Sequence, residues 1–327
     1  MADLVTKIDD VIVPEIFGAY TEEKTTEKSV FLNSGAMEND SRINALVSGA
    51  GVTFNMPKWE DLTGDDEPFN EDKAETSKVG SHNEIGTSIY RRKQWAFHDL
   101  AAAFAGDDPQ RDMADKVSRF WVRKERDTAL SILNGVFASA SMADHVLDVS
   151  AETESAINDT NILDAKQLLG DAADELSLLY MHSAAYTHLQ KQLLTKPIVL
   201  PNSKVELPGF LGYVVIMDDS VPVDLTDPTK PIFSTYLLAR GCLKRGVGTP
   251  VGWRGVATDR EEAEATSRLF YRRAFCLHPV GMSWNARPSD ITPNKTPSNA
   301  QLATGTNWTR VATEGKMVKM VKLVHTL

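Results

Sequence analysis

The sequence predicts an α+β protein, and three observations predict it. Residues 109–137 carry one long amphipathic helical pattern, residues 161–194 read as helix, strand, helix, and residues 211–217 and 232–239 are short apolar runs. Those runs are rich in branched and aromatic side chains, which suit buried strands.

The elements follow in chain order. Residues 1–56 read as an extended arm with short ordered pieces, the apolar clusters 11–17 and 29–32 among them. Residues 57–88 carry eight acidic side chains between Glu60 and Glu75, punctuated by Gly64, Pro68 and Gly80, and end on a strand-like stretch at 86–90. They read as a long solvated hairpin loop, and loops of that length without a core of their own are usually functional.

The helix of residues 109–137 has Asp107 or Asp108 as N-cap, Pro109 at its first position, and Asp112 and Asp115 near the positive end of the dipole. Met113, Val117, Phe120, Trp121, Ile132, Leu133, Val136 and Phe137 recur at helical spacing. Arg111, Lys116, Arg119, Arg123 and Arg126 fall largely between them, interspersed with Asp115, Glu125 and Asp127, so this side reads as a solvated or salt-bridged face. At 1.5 Å per residue, about 28 residues span ~42 Å.

A second helix is expected over 161–176, capped by Thr160 or Asn161, then a strand over 177–181, then a third helix capped by Ser183 and broken by Pro197 and Pro201. Residues 224–231 are a turn-rich loop and 254–284 a strand-rich hairpin ending at Pro279. Residues 287–306, with Pro288, Pro293 and Pro297, read as a polar linker before a last strand over 317–324.

Composition excludes several classes. The 327 residues are 42% hydrophobic, ordinary for a chain that buries a sizeable core. No apolar run approaches the ~20 residues of a bilayer crossing, and the first residues show no secretory pattern, so the chain is expected to stay in the cytoplasm where it is made. Cys242 and Cys276 are the two cysteines and read as buried thiols. A net charge of −10 argues against a surface that grips nucleic acid everywhere, because phosphate binding needs clustered Lys and Arg.

Catalytic and ligand motifs are wanting. There is no Gly-x-Ser-x-Gly elbow. The glycine-rich stretch 245–252 lacks the Lys-Ser/Thr ending of a phosphate loop and reads as a flexible turn. His182 and His188 sit six apart, not at the four-residue spacing of a helical metal site. The acids of 60–75 lack the alternate ligand positions of a calcium loop. Glu261, Glu262 and Glu264 read as a charged connector. The expectation is no enzyme, no cofactor and no metal.

An arm, a long loop, a long helix, a compact α/β section and a strand hairpin stand in that order. Together with the segments 180–191 (YMHSAAYTHLQK), 215–222 (VIMDDSVP) and 275–284 (FCLHPVGMSW), the chain resembles the tailed-bacteriophage major capsid proteins of the Hong Kong 97 fold. The resemblance covers roughly residues 10–327. It implies an N-terminal arm (1–56), an extended loop (57–92), a peripheral domain (93–149 and 251–327) with spine helix 109–137, and an axial domain (150–250).

It also implies self-assembly into pentamers and hexamers of an icosahedral shell around double-stranded DNA, which is held by weak contacts only. Further implied partners are a separate scaffolding protein, portal and decoration proteins, with no membrane; assembly would take place in the host cytoplasm and the product would be the virion. Inter-subunit contacts would then fall to Val13, Ile16 and Phe17 in the arm, to Trp59, Glu60, Asp61, Asp65, Asp66, Glu67 and Phe69 in the loop, and to Arg91, Arg92, Arg119 and Arg123. Lys58, Lys73 and Lys78 read as solvated lysines of the loop, not as donors of an isopeptide bond. Two other readings stay open at this point: a compartment shell of the encapsulin type, and a soluble α/β enzyme.

Overall fold

The computed structural model describes residues 30–49, 51–60, 79–98, 113–192, 195–199, 206–210 and 212–327 except 262, 264, 288 and 292–294, together with the single residues 62, 66 and 76. The arm cluster 11–17, the helix start at 107–109 and most of the acidic loop lie outside the described residues.

Two sheets share one long helix. The first sheet holds β1 (Met37–Asn39), β4 (Ile89–His98), β12 (Leu243–Gly248), β13 (Val256–Glu261) and β14 (Thr266–Pro279). β14 is its axis: β13 and β12 pair antiparallel with successive halves of one edge, and β4 pairs with the other from Thr266↔His98 to Phe275↔Ile89.

The second, mixed sheet runs in the order β5 (Val146–Asp148), β17 (Met320–His325), β11 (Ile232–Ala239), β6 (Leu176–Met181), β9 (Tyr213–Met217), β8 (Glu206–Phe210), β7 (Thr195–Val199). β10 (Val223–Asp224) pairs with β11. Two ribbons complete the strands: β2 (Thr53–Trp59) with β3 (Ser81–Thr87), and β15 (Met282–Trp284) with β16 (Trp308–Arg310).

The shared helix is α3 (Met113–Phe137). Its first half lays Val117 and Trp121 on Leu269 and Tyr271 of the first sheet. Its second half packs Leu130, Leu133, Val136 and Phe137 into a core with Leu178, Tyr180, Tyr236 and Leu238 of the second. The other face of the second sheet is covered by α4 (Asp159–Gln167) and α5 (Ser183–Lys191), which bury Leu179, Val215, Leu237, Val321 and Leu323. Side chains alternate across a strand, so a strand buried on both faces reads as an unbroken apolar run. Residues 213–217 and 232–239 are such runs.

Several local expectations change. Residues 30–48, read as arm, form α1 (Val30–Ser34), β1 and α2 (Ser41–Ser48), with Phe31, Ile43 and Val47 in the core. Of the glycine-rich stretch 245–252, read as a flexible turn, residues 245–248 belong to β12, where Gly246 lets α2 lie close against Ile43, and only the part after Gly248 is a turn, with Gly252 at positive φ. The second helix starts at Asp159, capped by the Asn158 side chain accepting from the Asn161 N–H, and gives way to a 3-10 turn over Gly170–Glu175. His182, not Ser183, caps α5, its ring accepting from the Ala184 N–H.

The linker 287–306 is packed structure. Ser298 and Gln301 make a reciprocal capping box that starts α6 (Asn299–Leu302), and Leu302 is fully buried against α3. The last strand begins three residues later than expected, at Met320, because Gly315–Met317 is a 3-10 turn. No helix of the described residues is long and apolar enough to cross a membrane.

Candidate functional site

The β2–β3 ribbon is bonded strand to strand from Thr53↔Thr87 to Trp59↔Ser81, and it is anchored at its middle, where Met56 faces Glu84 and the Ile85 N–H donates to Ser283. The anchor is Glu84, 1% exposed. Its carboxylate accepts from Lys58 Nζ at 2.7 Å and from the Gly281 N–H at 3.0 Å, and lies 3.0 Å from His278 Nε2. Burial alone would raise this carboxyl; the bonds from His278 and Lys58 outweigh burial and hold it below the usual carboxylate range. Lys58 is therefore paired, a departure from its reading as a solvated lysine. Beside it a cleft of about 550 Å³ opens between the ribbon and the second sheet, lined by Trp59, His82, Glu84, Glu175 and Lys316.

At its far end the ribbon presents apolar surface to solvent: Trp59 is 78% exposed and Val79 46%. Glu60 donates its N–H to the Gly80 carbonyl and faces His82, and Asp66 is exposed. Asp61, Asp65, Glu67, Phe69 and the arm residues Val13, Ile16 and Phe17 lie outside the described residues.

The four arginines separate into three places. Arg91 is half-buried, its guanidinium donating to Asn299 Oδ1 at 3.0 Å, and burial lowers its pKa. Arg92, the next residue on β4, points to the opposite face and is exposed. Arg119 and Arg123 are exposed at four-residue spacing on the outer side of α3. The residues expected to make contacts thus form a ribbon tip, a spot on the first sheet and a stripe on the helix, with no single cleft.

Two buried polar centres hold the elements that carry these surfaces. On α3, Glu125 is 2% exposed and binds Arg245 of β12 and Arg273 of β14, the latter at 2.8 Å. Glu125 is thus no part of a solvated face. Asp218, after β9, accepts from the Tyr180 hydroxyl and is ion-paired with Arg126, whose Nε lies 3.1 Å away, tying α3 to the second sheet. Burial and the Asp218 bond push the Tyr180 hydroxyl up, so it stays a donor. Among the described residues no cluster of three His, Cys, Asp or Glu is placed to hold a metal. Cys242 and Cys276 are free and buried, both thiols pushed up to about 12 by burial.

The family described as major capsid protein 13-like matches residues 110–319. The major capsid protein of Bacillus phage SPP1 is 34% identical over 325 residues, covering 98% of both chains.

The chain belongs to the bacteriophage major capsid protein family. It is a structural protein of the virion and not an enzyme, which removes the α/β-enzyme reading and sets the phage shell ahead of a compartment shell. Two solved structures share its mixed α/β fold at low identity. The capsid of Ralstonia phage GP4 has a TM-score of 0.60 at 10% identity over 91% of each chain. The head of Helicobacter pylori bacteriophage KHP40 has 0.56 at 10%, over 91% of this chain and 90% of that one.

Sequence reasoning missed Glu84, Glu125 and Arg273. For Glu125 the signal was present: Val117, Trp121, Glu125, Ala129, Ile132 and Val136 form one stripe at four- and three-residue steps. A carboxylate on an apolar stripe must be paired.

Proposed function

We propose that this chain self-assembles into hexamers and pentamers of an icosahedral shell of the Hong Kong 97 type, enclosing double-stranded DNA. The observation that carries this reading is the β2–β3 ribbon, tied at its middle by Glu84 and ending in an exposed Trp59. Of the extended loop (57–92) it is the ribbon tip and the acidic segment that lie on a neighbouring subunit, and of the arm (1–56) it is the part before Val30, through Val13, Ile16 and Phe17, that crosses another, since residues 30–48 and β4 pack within this chain. The peripheral domain is 93–149 with 251–327, the axial domain 150–250, and α3 is the spine between them. Family membership supports the shell role, and the fold shared with phage heads supports the architecture.

Partners in this reading are further copies of the chain, a separate scaffolding protein during assembly in the host cytoplasm, and portal and decoration proteins in the virion. With a net charge of −10, the chain holds packaged DNA by weak contacts that let it slide. The test is expression of the chain, alone and with a scaffolding protein, followed by electron microscopy. Closed shells with five- and six-fold capsomers are expected; a discrete small oligomer would overturn the reading. Retention of duplex DNA by empty shells at ~0.15 M salt would overturn the weak-contact part.

A further inference from the structure

We propose that Arg92 and Arg272 form the receptor on which a neighbouring copy seats its acidic loop segment, residues 60–75. The inference rests on the shell reading above and names the surface that the loop meets. Arg92 of β4 and Arg272 of β14 are direct cross-strand partners, and both side chains are exposed. Like charges placed directly opposite on neighbouring strands destabilise a sheet. Elsewhere this chain neutralises such groups: Arg268 on β14 reaches Glu261, Arg273 reaches Glu125, and Arg310 reaches Asp144.

Among the described residues neither Arg92 nor Arg272 has a side-chain partner. Arg254, also exposed, stands one residue before Gly255, whose carbonyl accepts the Arg272 N–H at 2.6 Å, and adds a third guanidinium nearby. An uncompensated basic spot on a regular sheet is a site waiting for carboxylates or phosphates, since a guanidinium fork bonds both in bidentate fashion.

The same chain supplies a matching occupant. Residues 60–75 carry eight carboxylates against one lysine, Lys73, a net charge of −7 from eight negative and one positive group. That segment starts where the β2–β3 ribbon ends. The chain then runs from Ser81 at the ribbon tip through β3 to Arg92 on β4, eleven residues away. Strand at ~3.3 Å per residue puts about 36 Å of chain between tip and patch. The tip that carries the segment and the patch are thus separate places on the chain, and in the shell reading the segment meets the patch of another subunit. Charge complementarity of this kind sets orientation and encounter rate.

Three variants test the proposal in chains that form shells as wild type; a wild type that forms none counts against the shell reading alone. Arg92→Glu places a carboxylate opposite Arg272, so the unassembled chain is expected to melt at the same or a higher temperature while shell yield collapses. A merely structural role would move both together. Adding Asp65→Lys, Asp66→Lys and Glu67→Lys to Arg92→Glu/Arg272→Glu is expected to restore shells that either set alone abolishes.

Arg272→Cys combined singly with Asp65→Cys, Asp66→Cys or Glu67→Cys separates copies. Oxidised shells are expected to give ladders of linked chains on non-reducing gels. Linked monomers, or no linkage with all three, would overturn the proposal. So would Arg92→Glu/Arg272→Glu shells in wild-type yield, or such shells that have lost only their hold on duplex DNA, which would assign the patch to phosphate.

Discussion

Replacing Glu125 by Gln removes one charge and strands two. The carboxylate is 2% exposed and its partners Arg245 and Arg273 have side chains 4% and 3% exposed, so both guanidiniums would remain in the interior without a counter-charge. Breaking a buried pair in this way costs ~3–5 kcal/mol, against ~0–1 kcal/mol for a surface pair. At ~1.4 kcal/mol per decade, the folding constant should fall by at least ~100-fold. The assay is urea unfolding of the unassembled chain followed by tryptophan emission, with the slope unchanged and the midpoint shifted. Glu125→Leu combined with Arg245→Met and Arg273→Met should recover most of the loss, because well-packed apolar residues replace buried ion groups at little cost. A loss below ~1 kcal/mol for Glu125→Gln would refute the reasoning, since that is the value of a solvated pair.

Three further outcomes follow from the same packing. Gly135→Ala should destabilise although alanine is the better helix former: the new Cβ would lie 2.0 Å from the Leu302 carbonyl and 2.8 Å from Trp308 Nε1. Overpacking of ~1–3 kcal/mol outweighs the ~1 kcal/mol gained in propensity, and a rise in melting temperature would contradict it. His325, fully buried between the Thr235 hydroxyl and the Thr326 carbonyl, is held neutral by desolvation, its pKa lowered from 6.5 to about 4. The unfolded chain therefore takes up the proton first, so stability is whole above pH ~6.5 and about 3 kcal/mol is lost as pH falls to ~4. Replacement by Gln should flatten that slope between pH 4 and 6.5 in unfolding titrations. Cys242 and Cys276 should resist thiol reagents at pH 8 until denaturant is added; prompt labelling would show that the core opens.

What could be read in the sequence was periodic. The α3 stripe, the two-faced strands of 213–217 and 232–239 and the hairpin ending at Pro279 each repeat a pattern over many residues, and each stands where expected. What could not be read depended on partners far along the chain. Gly246 resembles a turn glycine until α2, two hundred residues earlier, is laid on it. Arg92 and Arg272 are 180 positions apart and become one patch only through the β4–β14 register. Glu84 gave no sign of its role, since His278 and Gly281 arrive from another ribbon end.

The outer edge of β2 carries a further consequence. Among the described residues β2 pairs with β3 alone, leaving a row of backbone donors and acceptors that another strand could extend. Pro57 sits in the middle of that row and has no N–H to offer, and Lys58 follows it. A subunit made in many copies at high local concentration is exposed to open-ended strand stacking before it meets its proper neighbours. Proline at the centre of that edge interrupts the row of donors and opposes such stacking.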